Sequence, residues 1–261
     1  MMMGMVGAVG IAGGAGSHAS AFLARTSGLD GTHTTAYTNL INGLDTDGIF
    51  SKLDLLHIYA TQDSTTALLN LVSTSFGGTA NGSPTFTVDR GFTGVDGSTT
   101  VYIDSGFDAS TAPTPQFVQN SAHVSAWCVT DIGAFARAVI GNVGGNETDI
   151  YPKHSDNNTY YRVNASGISG VANTTSNGHY CANRSSSSAV QGYKNGSSVL
   201  TNNAATSGAV VGGNFQILKA LNLGGSAHQL AMASIGASLS STDVTNFYNR
   251  LRTYMTAVGV P

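Results

Sequence analysis

Four aspartates, Asp89, Asp96, Asp104 and Asp108, form the densest acidic stretch of this chain. In loops beside short extended runs, such carboxylates do one of two things. They cap turns by accepting from nearby backbone N–H groups, or they join loop carbonyls as the hard oxygen ligands of a calcium ion. No D-x-[DN]-x-[DN]-G loop is present, so calcium is the one cofactor these residues suggest and no motif requires it. Hydrolysis of a glycosidic bond asks for two facing carboxylates, about 5–5.5 Å apart in retaining enzymes. The single glutamate, Glu147, lies in a turn-like Gly144-Gly145-Asn146-Glu147 stretch, so a glutamate pair is absent. The close aspartate pairs, Asp45 with Asp47 and Asp104 with Asp108, occur among turn-forming residues and read as caps. No G-x-S-x-G elbow or phosphate loop occurs, and seven dispersed histidines form no H-E-x-x-H. The chemistry to expect is binding without catalysis.

A binding surface for sugars needs aromatic rings to stack on pyranose faces, with amides and charges as hydrogen-bond partners. Tyr151, Tyr160, Tyr161, Tyr180 and Tyr193 fall on successive strand-like runs and are the candidates, although tyrosine is also an ordinary cross-strand residue. Trp127 alternates with Cys128, so one is expected to face the core and the other not, with Trp127 inward. Cys128 and Cys181 are too few for a disulfide framework or a zinc site. Two buried free thiols is the simpler reading, and a single bridge stays open.

Only 10% of the 261 residues are charged, against about a quarter in an ordinary globular domain. The polar surface must come from Ser, Thr, Asn and Gly. With 11 basic residues dispersed among 14 acidic ones, the chain lacks the cationic stripe that nucleic acid requires. The opening run MMMGMVGAVGIAGGAG has no basic n-region, since Arg25 is the first cation. It is also shorter than the roughly 20 apolar residues of a membrane span. Residues 1–28 therefore read as an apolar docking arm, held most simply by a neighbouring subunit.

Two kinds of element must position the candidates. Residues 29–75 carry a helical segment. Asp30 caps a helix whose Tyr37, Leu40, Ile41 and Leu44 share one face, and Gly43 with Asp45–Gly48 should end it. The apolar run Leu53–Ala60 reads as a buried strand, and Asp63–Ser73 as a short helix or loop. From Phe76 onward, short β-runs alternate with turn formers: Thr85–Val88, Thr100–Asp104, His123–Thr130, Arg137–Asn142, Thr148–Lys153, Thr159–Asn164, Gly178–Asn183, Val190–Lys194, Ser198–Thr201, Phe215–Ala220 and His228–Ile235. Asn195-Gly196 marks a hairpin, because both residues tolerate the positive φ of a primed turn. With no helix available between strands from Phe76 to Ala237, the fold class is all-β, an antiparallel jelly-roll sandwich over residues 76–261. A last helix starts at Ser240, with Asp243 at its N3 position and Val244, Phe247, Tyr248, Leu251, Tyr254 and Met255 on one face.

The C-terminal third resembles a known family. Tyr193-Lys194-Asn195-Gly196, Phe215-Gln216-Ile217-Leu218, Gln229 to Gly236, and Leu239-Ser240 through Arg252 are similar to the closing strands and helix of concanavalin A-like (laminin-G-like) jelly rolls. The likeness covers roughly residues 80–258, and it looks most like the lectin-like modules of tailed-bacteriophage structural proteins. The resemblance implies a non-enzymatic virion protein, a head decoration or a tail or fibre component. Such a protein would dock to other virion subunits through its arm, associate with copies of itself and bind host surface glycans. It also implies a rival, a free secreted carbohydrate-binding or adhesion module. Glycan-active enzymes of the same superfamily stand behind both.

Overall fold

The computed structural model describes residues 15–133 and 137–261. Its helices are α1 (Ala15–Leu23), α2 (Gly31–Thr46), the single turn α3 (Ser64–Ala67) and α4 (Ser241–Ala257). The strands are β1 (Leu53–Ile58), β2 (Thr79–Asn81), β3 (Thr85–Thr87), β4 (Gly91–Thr93), β5 (Tyr102–Asp104), β6 (Ala122–Cys128), β7 (Ile140–Asn142) and β8 (Glu147–Tyr151). They continue with β9 (Asn158–Ala165), β10 (Ser169–Ala172), β11 (Gly178–Arg184), β12 (Val190–Lys194), β13 (Ser197–Asn202), β14 (Gln216–Ile217) and β15 (Gln229–Gly236).

All strand pairs among the described residues are antiparallel and form two sheets. The first sheet runs β13-β12-β11-β6-β15-β4-β3, with β1 beside β4 along the same edge of β15. The second runs β10-β9-β8-β7-β14-β5-β2. The jelly-roll-like sandwich expected from the spacing of the β-runs is the observed architecture. The segment 29–75 contributes more than helices, because β1 pairs along β15 inside the first sheet.

The central strands of the first sheet, β6, β11 and β15, are buried on both faces. Toward the second sheet the first places Val124, Ala126, Cys128, Tyr180, Ala182 and Leu230 in one core with Ile103, Ile140, Ile150, Val163 and Ile217. Toward the helices it places Trp127, Cys181, Tyr193 and Met232 in another core with Tyr37, Ile41, Phe247, Leu251 and Tyr254. Trp127 and Cys128 thus both lie in cores, on opposite faces, which corrects the expectation that one of them would face out. Cys128 and Cys181 are free thiols for the same reason: they belong to opposite faces of one sheet.

The helices start where the sequence places their caps. Asp30 accepts from the His33 N–H at 2.8 Å. Ser240 and Asp243 form a reciprocal capping box. Helix α2 runs through Gly43 and ends at Thr46, inside the expected Asp45–Gly48 stretch. Gly43 is where α4 crosses: a Cβ there would lie 2.6 Å from Arg250 Cδ. The Arg250 side chain passes over this gap to Asp47, with Nε 2.9 Å from Oδ2. Among the described residues no helix is long and apolar enough to cross a membrane.

Three strands had no sequence signal: β2, β4 and β10. Each is three or four residues long and rich in Gly, Ala, Ser or Thr. β14 is only two residues, because Leu218 takes a positive φ of 68° and ends it.

Candidate functional site

The Asn195-Gly196 turn, with φ of 49° and 77°, joins β12 to β13 in the expected hairpin. Gly196 is needed twice. It supplies the left-handed turn conformation, and a Cβ there would meet Tyr248 at 2.9 Å. That close approach lets α4 lay Tyr248 flat against Trp127, with ring centroids 5.6 Å apart and planes within 11°. Arg252, one helical turn further along α4, sets its guanidinium 5.1 Å from the Trp127 ring centroid. These groups border a cavity of about 340 Å³ at the end of the first sheet, whose other walls include Asn177, Lys194 and Asn195.

The loop carrying Asn177 is held by charge. The Lys194 ammonium donates to Asn173 Oδ1 at 2.7 Å, the Thr175 carbonyl at 2.8 Å and Thr175 Oγ1 at 3.1 Å. Lys153 donates to the Thr174 carbonyl. Asp131 accepts from the Ser176 N–H and hydroxyl at 2.7 and 2.9 Å. Burial lowers the pKa of Lys194, with Asp131 acting in the opposite sense. The backbone hydrogen bond from Ser176, against a desolvation penalty, lowers that of Asp131. The result is a half-open cavity lined by two exposed amides, two cations and the half-buried ring of Tyr248, with Trp127 buried behind Tyr248 and Arg252.

The five tyrosines are placed differently from the expectation. Tyr161, Tyr180 and Tyr193 are buried, at 1%, 0% and 1% exposure, and present no ring face to a sugar. Tyr161 and Tyr180 lie in the core between the two sheets and Tyr193 in the core under the helices, so their phenols serve inside: Tyr161 donates to the Tyr193 carbonyl, Tyr193 to Gln191 and Tyr180 to the Thr175 carbonyl. Tyr180 lies behind the cavity, its ring centroid 5.3 Å from Lys194 Nζ. Tyr151 is buried on the outside of the second sheet, beside a half-exposed Tyr160 that donates to Asp156.

The aspartates do not converge. Asp89 faces His33 Nε2 at 2.7 Å, and Asp96 pairs with Arg137. Asp104 accepts from the Gly106 N–H and Asn214, and Asp108 from the Ser110 and Gly213 N–H groups. Among the described residues no three His, Cys, Asp or Glu side chains meet as metal ligands. The calcium expectation therefore finds no donor set, and these residues act as turn caps and ion-pair partners. The Asp45–Asp47 pair is likewise split, to His18 and Arg250.

Glu147 departs from its expected turn and opens β8. There it alternates with Asp149, and both carboxylates hold Arg162 of β9. Burial pushes the Asp149 carboxyl up to about 6, with Arg162 opposing the shift. The Glu-Thr-Asp spacing could have flagged this pair, since period two puts both acids on one face. Nothing local could have flagged Arg252 or Tyr248 as partners of Trp127.

A larger cavity, about 410 Å³, lies between α2 and α4 and is lined by Thr32, Thr35, Ala36, Asn39 and Thr253. Its cation, Arg250, is already paired with Asp47. The rim cavity at Trp127 is the better candidate because, among the described residues, neither Lys194 nor Arg252 makes a salt bridge.

No protein-family model matches this chain, and no curated protein does. Solved structures do. Domain 4 of AbnA, a GH43 extracellular arabinanase from Geobacillus stearothermophilus, in complex with arabinotriose, aligns over 75% of this chain and 98% of its own, with a TM-score of 0.52 at 16% identity. The binding domain of Paraclostridial Mosquitocidal Protein 1 aligns over 77% of this chain and 52% of its own, with a TM-score of 0.54 at 12% identity. The receptor binding domain of botulinum neurotoxin C/D mosaic serotype aligns over 77% and 52%, with a TM-score of 0.53 at 11% identity. The chain thus spans about half the length of the toxin domains. At these identities the likeness is one of fold, an antiparallel β-sandwich.

Proposed function

We propose that this chain is a glycan-binding module without catalytic activity, and that the cavity at Trp127 is its saccharide site. The observation that carries the reading is the grouping of Trp127, Tyr248, Arg252, Lys194, Asn177 and Asn195 around one half-open space. The fold neighbours support it. One is a domain crystallised with arabinotriose, and two are toxin domains described as binding or receptor-binding. Against catalysis stands the state of the two alternating acids. Glu147 and Asp149 are tied to one arginine, and the Asp149 side chain has 0% exposure.

We further infer that the module is displayed on a tailed-phage particle, as a decoration or a tail or fibre component. The resemblance of the closing strands and α4 motivates this. Homo-oligomerisation is supported by one flank of the sandwich. Residues 163–183 and 195–218 contain no Asp, Glu, Lys or Arg, and they include the edge strands β10 and β13. Sheet edges that avoid self-association are normally guarded by charge. Docking through the arm belongs to the same reading for residues 1–14, whereas α1 within the expected span 1–28 packs on its own chain, with Ala19 and Phe22 in the core.

Binding is tested on a glycan array with the full chain and with Tyr248→Ala. Retention of a saccharide class by the first and its loss by the second is the expected result. Equal retention by both would reject the cavity. Mass spectrometry of purified particles tests the virion role, and a chain found only as a free secreted monomer would favour the adhesion alternative. Sedimentation with and without residues 1–14 tests the arm.

A further inference from the structure

We propose that the cavity at Trp127 selects acidic saccharides, those carrying a carboxylate, over neutral ones. This rests on the glycan reading of the same cavity and names the class of ligand it takes.

The argument is the sign of the local charge. The chain as a whole is acidic, with a formal charge of −3. Yet Lys194 and Arg252 both line this cavity, and no acidic side chain does. Lys153 holds the adjoining loop, and Asp131 is the one carboxylate acting on Lys194 together with it. Around this cavity three positive side chains therefore stand against one negative side chain. A cleft lined by side chains of one sign raises the local concentration of ligands of the other.

The two lining cations have different duties. All three Lys194 protons are committed to Asn173 and Thr175, so it acts as a fixed positive charge behind the wall. Arg252 donates from Nε to Thr256 Oγ1 and from Nη2 to the Val260 carbonyl. Its Nη1 takes no partner among the described residues, and no carboxylate pairs with it. A guanidinium steadied at two nitrogens and over an indole is pre-organised. Its remaining N–H groups can meet an incoming carboxylate at little entropic cost. The exposed amides of Asn177 and Asn195 stand beside it for the hydroxyls of the same sugar.

The experiment is titration calorimetry of the full chain with trigalacturonate, and with its methyl ester, which keeps the sugar and removes the charge. A second pair, 3′-sialyllactose and lactose, separates uronic from sialic acids. The expected result is binding of at least one acidic probe, at least about tenfold tighter than its neutral counterpart and weakening as sodium chloride is raised. Arg252→Gln should lose that preference, and Arg252→Lys should keep part of it. Asn177→Asp, at an exposed position whose side chain makes no hydrogen bond, should repel the acidic probe without touching the fold. Equal binding of acidic and neutral probes would overturn this inference and leave the glycan reading standing. A glycan array that finds no saccharide of either kind would overturn both.

Discussion

Arg162 on β9 and Arg252 on α4 carry the same charge in opposite settings. Arg162 lies on the outside of the second sheet, its side chain 12% exposed, held by Glu147 and by an Asp149 with no exposure at all. Its charge is consumed internally, and what remains is a clamp joining β8 to β9. Arg252 lies at the rim of the first sheet. It touches a carbonyl, a hydroxyl and an indole, and no acid. Its charge is steadied but not cancelled. A buried ion pair is part of the scaffold, whereas a cation pre-organised by neutral groups is free to answer a ligand. On this physical ground the second arginine, not the first, belongs to the functional site.

The largest test of that contrast uses protons in place of mutations. His57, His123, His179 and His228 are buried, and desolvation holds their pKa values down to about 4, 4, 3 and 4. The unfolded chain binds protons on them near the ordinary value of about 6.5, which the native chain cannot. Their stabilisation is therefore complete above that value and is lost as pH falls toward 4. His33 has the opposite sign. Burial disfavours its charge, but Asp89 and Asp30, one at each ring nitrogen, together raise its pKa. Its contribution is full below the unfolded value and fades as pH rises through the raised one. Four groups outweigh one. Urea midpoints should drop steeply between neutrality and pH 4, and a flat profile would show that buried charge without a partner is tolerated here.

Next in size is Arg162→Met. It leaves Asp149 buried without its cation and should cost about 3–5 kcal/mol in urea unfolding. His179→Leu should act the other way. Both ring nitrogens of His179 are buried without a hydrogen-bond partner, so replacement should stabilise by about 1–3 kcal/mol. It should also remove one proton from the acid transition. Smallest is Arg252→Gln, which breaks no ion pair and should change stability by less than about 1 kcal/mol. Were it to cost as much as Arg162→Met, the distinction between clamp and site would collapse.

How much of this was legible beforehand depends on the range of each interaction. The Asp30 and Ser240 caps, the Asn195-Gly196 turn and the run of short strands rest on neighbours a few residues apart. Each was read correctly from those neighbours. The tyrosines were misread because alternation along a strand distinguishes two faces without telling what covers them. Tyr161 and Tyr180 face the opposite sheet, and the helices cover the face that carries Tyr193. Glu147 reads as a turn residue beside Gly144-Gly145-Asn146, because the arginine that holds it and Asp149 together, Arg162, arrives only when β8 pairs with β9. Trp127 joins Tyr248 and Arg252 across more than a hundred residues, and no spacing rule spans that distance.

The sequence by itself therefore determined the all-β class, the helix starts, the tight hairpin and a surface almost empty of charge. Those follow from backbone sterics and from local hydrogen-bonding chemistry. Tertiary structure alone decided that both faces of one sheet's central strands would be covered, which of eleven cations would be neutralised, and which would be left at a rim. Burial and pairing are properties of what folds against a residue, and a side chain carries no record of its distant neighbours.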